Sequence, residues 1–133
     1  MRALEVFATL IFFVFLGMAN NSFADQGQSR EVIVGIQDAF IPGGFDIYSD
    51  TYVIASGIFP NGCYRWSHAD INNVDQFTHE IRSIATVQSG MCIMALIPFN
   101  KEIKLGKFNA GEHTIRFVNG DGTYFEKMMM VEQ

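Results

Sequence analysis

The chain is 133 residues long, 49% hydrophobic and 17% charged, with a formal net charge of −5 at pH 7. A chain of this length holds a single domain, with or without a leader. Its 9 Lys and Arg are scattered, which excludes the basic patch or stripe of a nucleic-acid footprint.

Met1 and Arg2 precede an apolar run from Val6 to Leu16, relieved only by Ala8 and Thr9, and the polar patch Asn20-Asn21-Ser22 follows. That is the order of a secretory signal peptide. Ser22 and Ala24 supply the small side chains needed before a cut after Ala24, so residues 1–24 read as a cleaved signal and 25–133 as one mature domain. The apolar run is shorter than the roughly 20 residues of a spanning helix, so no membrane span is expected after cleavage. The expected location is periplasmic or secreted. In an oxidising compartment an even count of cysteines pairs by default. Cys63 and Cys92 would then close a loop of about 30 residues, worth roughly 3–4 kcal/mol in the chain-entropy model. Free thiols acting as metal ligands or as a redox couple are the competing reading, although the C-x-x-C spacing of redox motifs is absent.

Short apolar runs of period two, separated by turn residues, predict strands rather than helices. The first is 31–36, ended by Pro42-Gly43-Gly44; the second is 51–59, running into Pro60-Asn61-Gly62. Alternation continues from Cys63 through His68, then over 77–87 with Phe77, His79, Ile81 and Ser83 on one face. Residues 91–99 are almost wholly apolar and predict a central strand buried on both faces, closed by Pro98. Residues 101–105 predict a charged edge strand. Residues 112–118 and 123–131 predict a hairpin around Asn119-Gly120-Asp121-Gly122. About seven evenly spaced strands favour an all-β, immunoglobulin-like or fibronectin-III-like antiparallel sandwich.

The segments Pro60-Asn61-Gly62-Cys63, Gly90-Met91-Cys92, Pro98-Phe99 and Ala110-Gly111-Glu112-His113-Thr114 together resemble a pattern of small secreted bacterial domains of immunoglobulin-like fold, over about residues 50–125. The resemblance implies a β-sandwich with Cys63 bonded to Cys92, and it implies no activity, since such folds host many functions. The strand after Ala-Gly usually carries Tyr in that pattern. This chain has His113 there.

His68, His79 and His113, with Asp70, Met91 and Met94, are the ligand types of a periplasmic copper or zinc site, but none lies at a tight ligand spacing. The competing reading leaves His79 half-buried on a strand face, His68 in a surface loop and His113 replacing an aromatic at a corner. Met128-Met129-Met130 reads as core filling, with an adaptable surface as the alternative. Ser67-His68 with Asp70 are the residue types of a hydrolase, but a triad draws its members from different elements, so no enzyme and no cofactor are expected.

What remains is recognition. Phe40, Ile41 and Phe45 flank a flexible Pro-Gly-Gly turn as a candidate apolar surface, or else fold inward to plug the sandwich. Tyr64, Arg65 and Trp66 are hot-spot residue types; the alternative is a core Trp66 with Tyr64 and Arg65 outward, the two aromatics sharing a face only through a bulge. No loop pinned in extended form, as a protease inhibitor needs, is evident. The expected function is a non-catalytic exported binding or structural module for a protein or cell-envelope component, with a periplasmic metal-binding protein as the alternative and a small hydrolase below it. Oligomeric state is not readable from these residues.

Overall fold

The computed structural model describes residues 28–133, and the expected signal segment and its cut lie outside them. Nine strands follow in chain order: β1 (Ser29–Val34), β2 (Asp38–Phe40), β3 (Phe45–Asp46), β4 (Thr51–Phe59), β5 (Tyr64–Asn73), β6 (Thr78–Gln88), β7 (Ile97–Gly106), β8 (Gly111–Val118) and β9 (Tyr124–Glu132). No helix among the described residues is long and apolar enough to cross a membrane.

Alternation forms these strands. In β4 the buried side chains are Thr51, Val53, Ala55 and Phe59, with Tyr52, Ile54, Ser56 and Ile58 between them, the period-two signature of a strand with one face on a core. In β6 His79, Ile81, Ser83, Ala85 and Val87 turn inward. The face read from the sequence is the buried one.

The strands make two sheets over one core. The larger runs β1-β6-β8-β9-β3 with β5 on the other side of β6; the smaller runs β2-β4-β7. Strand β6 is long enough to take two neighbours along one edge, β8 parallel over its first residues and β1 antiparallel over its last. Apart from β6–β8 and a short β3–β9 contact, every pairing is antiparallel. Val53, Ala55, Phe99 and Ile103 of the small sheet pack against Ile81, Ile115, Phe117, Met129 and Val131 of the large one, so the architecture is the expected β-sandwich. Met129 is core while Met128 and Met130 face out, as alternation requires.

The predicted final hairpin is present. Gly122 takes the positive φ of +85°, and Asn119 N–H donates to the Thr123 carbonyl at 2.8 Å. Gly57 of β4 answers a different need: a β-carbon there would lie 2.6 Å from the Phe99 ring and 2.8 Å from the Gly35 carbonyl oxygen. Gly57→Ala is therefore expected to destabilise by about 1–3 kcal/mol through overpacking. The check is a lower urea midpoint at unchanged slope.

Two expected elements are corrected. Residues 91–99 are not a buried central strand, because the small sheet has three strands and β7 is its edge. The predicted edge strand 101–105 is the continuation of β7, which begins only at Ile97. Pro98, lacking an N–H, is accommodated within that edge strand, and residues 89–96 leave the sheet altogether.

Candidate functional site

Residues 89–96 connect β6 to β7 as an irregular segment fastened to the turn between β4 and β5. Cys92 is bonded to Cys63 with the α-carbons 5.2 Å apart. Gly62 N–H donates to the Ile93 carbonyl at 2.8 Å, and Gln88 N–H to the Cys63 carbonyl at 3.0 Å. Gly90 adopts a φ of +123° that other residues rarely take, letting the chain turn out of β6. The outcome is a loop fastened at its middle, through Cys92 and Ile93, whose apolar side chains point to solvent: Met91, Ile93, Met94 and Leu96 are 103%, 77%, 84% and 71% exposed. The sequence offers no loop pinned in extended form, and this segment is irregular rather than extended, tethered through the expected Cys63–Cys92 bond.

Behind the loop lies an open groove of about 550 Å³ walled by Tyr64, Arg65, Trp66, Ile93, Ile97 and Lys101. Phe59 and Phe99 form its floor, stacked at 4.3 Å between ring centres, with Tyr64 at 5.9 Å from Phe59 and Trp66 at 5.9 Å from Phe99. Tyr64 and Trp66 are both half-buried against the core and Arg65 points out. Two residues apart on a strand, the two aromatics share a face by alternation alone. The register shift that does occur in β5 falls after them, between Trp66 and His68.

The segment 40–45 presents less than its composition offered. Phe45 is buried edge-on to Tyr52 at 5.6 Å, and Ile41 packs on the core. Phe40 alone of the three is exposed, so the contiguous apolar patch that would mark a contact surface is not formed there.

At the opposite end of the sandwich two of the three histidines meet. The parallel pairing of β6 with β8 brings His79 Nε2 within 2.9 Å of His113 Nδ1, both rings buried. His113 Nε2 donates to the Asn109 carbonyl at 2.7 Å, and His79 Nδ1 lies 2.6 Å from Asn73 Oδ1. Phe108 stacks on His79 at 4.0 Å and on His113 at 4.8 Å. Burial holds the His79 pKa below its ordinary value, the neighbouring His113 adds to this, and Asp75 opposes it. The bond from His113 to a carbonyl four residues upstream is similar to the one a corner tyrosine hydroxyl makes in immunoglobulin-type sandwiches, with an imidazole supplying the donor. Asn73, Phe108 and Asn109 were not singled out in the sequence, where no spacing connects them.

His68 stands apart, exposed, on strand β5 rather than in the expected surface loop, with Nε2 at 3.2 Å from Asp70 Oδ1. The candidate metal set His68, His79 and His113 is thus divided, and no group of three His, Cys, Asp or Glu among the described residues is arranged to hold an ion. Ser67 Oγ does lie 2.9 Å from His68 Nδ1, so Ser67, His68 and Asp70 form a contact chain that the sequence reading held to be difficult on one strand. The register shift at Ser67 permits it. All three sit in solvent on an edge strand, outside the water-excluding cleft in which electrostatic stabilisation of a developing oxyanion is large.

The family model of the ORF11 beta-sandwich domain matches residues 53–127. That span takes in both cysteines, the tethered loop, the groove and all three histidines. No curated protein and no solved structure matches the chain. With more than half of its length matched and the two-sheet architecture in place, the chain belongs to the ORF11 beta-sandwich domain family.

Proposed function

We propose that this protein is a non-catalytic, exported binding module that recognises a cell-envelope component through residues 89–96 and the groove behind them. The observation that carries this reading is the placement of Met91, Ile93, Met94 and Leu96 in solvent on one covalently tethered segment. Contiguous exposed apolar surface on a small domain marks a contact site, and holding the loop before contact reduces the ordering cost of binding. The disulfide fits a periplasmic or extracellular location. A metal-binding role has no comparable observation behind it.

The test is a photo-reactive amino acid at position 94 of the exported protein, irradiated in living cells. An envelope adduct that disappears in the I93S/L96S variant, and persists in F40S, is the expected result. Absence of any adduct, or an adduct indifferent to I93S/L96S, overturns the reading.

A further inference from the structure

Building on that recognition role for the loop, we infer that its occupant is the surface of an anionic lipid bilayer, entered by Met91, Ile93, Met94 and Leu96 with Arg30, Arg65 and Lys101 on the headgroups. From Ser89 to Asn100 the chain carries no ionisable side chain except the bonded Cys92. The cations gather at its base. Arg65 and Lys101 share the groove with Ile93, and Arg30 shares a recess with Gln88 and Ser89.

These cations differ from most of the others. Arg82 and Arg116 are ion-paired with Glu80, Lys107 with Asp50 and Lys127 with Asp38. Among the described residues Arg30, Arg65 and Lys101 form no ion pair. Glu31, whose Cα partner is Thr86, is the carboxylate nearest this end along β1. Asp46, Asp50, Asp75, Glu112 and Glu132 lie at the strand ends on the far side of the sandwich.

A molecule of net charge −5 therefore carries, among its described residues, three cations without ion pairs beside the apolar loop and these five carboxylates at the other end, with Asp121 of the β8–β9 turn and Glu102 beside Lys101 lying nearer the loop. In the field of an anionic surface that separation turns the loop end inward and the body outward. The side chains suit the same environment. Tyr64 and Trp66 in the groove are the amphipathic rings that settle at headgroup level, and Met and Leu side chains standing free of neighbours need no complementary pocket when the partner is fluid acyl chain. A protein partner instead calls for a shaped core of contact with fixed polar partners. Residues 89–96 present neither charged groups nor a closed concavity for it.

The experiment is flotation of the full chain with vesicles of phosphatidylcholine, with and without phosphatidylglycerol, while following Trp66, the single Trp of the chain. The expected result is phosphatidylglycerol-dependent, salt-sensitive partitioning with Trp66 quenched by spin-labelled lipid. R65Q and K101Q should each weaken partitioning about fivefold, and I93S/M94S/L96S by tenfold or more, on the order of the loss of buried apolar side chains. These loop positions are exposed, so the variants keep the fold. Since residues 1–27 include an apolar run of their own, flotation that survives I93S/M94S/L96S, or proceeds without Trp66 quenching, overturns the inference, as does failure to float at all. If flotation fails while the position-94 adduct forms on a protein and is lost in I93S/L96S, the lipid assignment falls and the recognition role stands; if both fail, both fall.

Discussion

Replacing both cysteines by alanine, C63A/C92A, is expected to lower the unfolding free energy by about 3–4 kcal/mol. The bond joins residues 29 apart, and releasing a loop of that size restores to the unfolded chain an entropy of roughly that free-energy value. For a domain whose whole margin is on the order of 5–15 kcal/mol, the urea midpoint should drop by roughly 2 M. The native state changes as well. With the bond gone, the Gly62 N–H to Ile93 carbonyl bond of 2.8 Å loses its covalent neighbour, so protection of the Gly62 amide from hydrogen exchange should fall more than that of core amides such as Ile81. Equal midpoints for the two proteins, with Gly62 protection unchanged, would show that the tether contributes nothing and that the loop is held by backbone bonds alone.

That loop is also where sequence and structure part most widely. Strands with one buried and one open face announced themselves, because period-two alternation in β4, β6 and β8 is a direct print of which side chains leave water. A continuous apolar run carries no such print. Residues 91–99 read as a strand covered on both sides, but an apolar loop covered on neither leaves the same pattern, since periodicity is silent for both. What decides between them is the number of strands available to flank it, a tertiary fact: the small sheet ends at β7. The disulfide could be expected from compartment and count, but its consequence, that it pins an exposed segment, needed the partner turn 60–63 in place.

The same limit applies to the other sites. Phe40 and Phe45 flank one turn, yet β3 pairs with β9 and draws Phe45 inward, leaving Phe40 outside. Inward placement of His79 followed from strand alternation, whereas its partner His113 lies 34 residues on and reaches it through a parallel β6–β8 pairing that no local pattern encodes. The contact of Ser67 with His68 depends on a register shift in β5, a one-residue irregularity of the kind that sequence periodicity averages away.

Stability of the fold is expected to fall as pH drops below about 6.5, and buried His79 is the source. Asn109 offers a carbonyl to His113 Nε2 at 2.7 Å, so that nitrogen carries the hydrogen and His113 Nδ1 accepts from His79 Nε2. With both rings neutral, His79 Nδ1 must accept in turn, which the Asn73 amide satisfies by presenting its NH2 in place of Oδ1; the two amide orientations are alike in shape. A proton on His79 Nδ1 is bonded only if Oδ1 is turned back, and the charge would be buried. Burial first and His113 second therefore depress the His79 pKa, against a smaller opposing effect of Asp75. Below the ordinary histidine value of about 6.5 the unfolded chain then binds more protons than the folded one, so unfolding free energy rises with pH across that window. The contribution is complete above about pH 6.5 and is lost as pH falls toward the lowered folded-state pKa, at no more than about 1.4 kcal/mol per pH unit. Hydrogen bonds from the Ala39 N–H, the Phe77 N–H and the Arg116 guanidinium hold Asp38, Asp75 and Glu80 respectively below the ordinary carboxylate range, so these groups act in more acid solution. Urea midpoints at pH 7.5, 6.5 and 5.5 should decline for the unaltered chain and stay nearly level for H79Q. H113A, which strands the His79 N–H in the core, should cost about 1–3 kcal/mol for the lost partner, in addition to the cavity. A decline of equal steepness in H79Q would place the titrating group elsewhere.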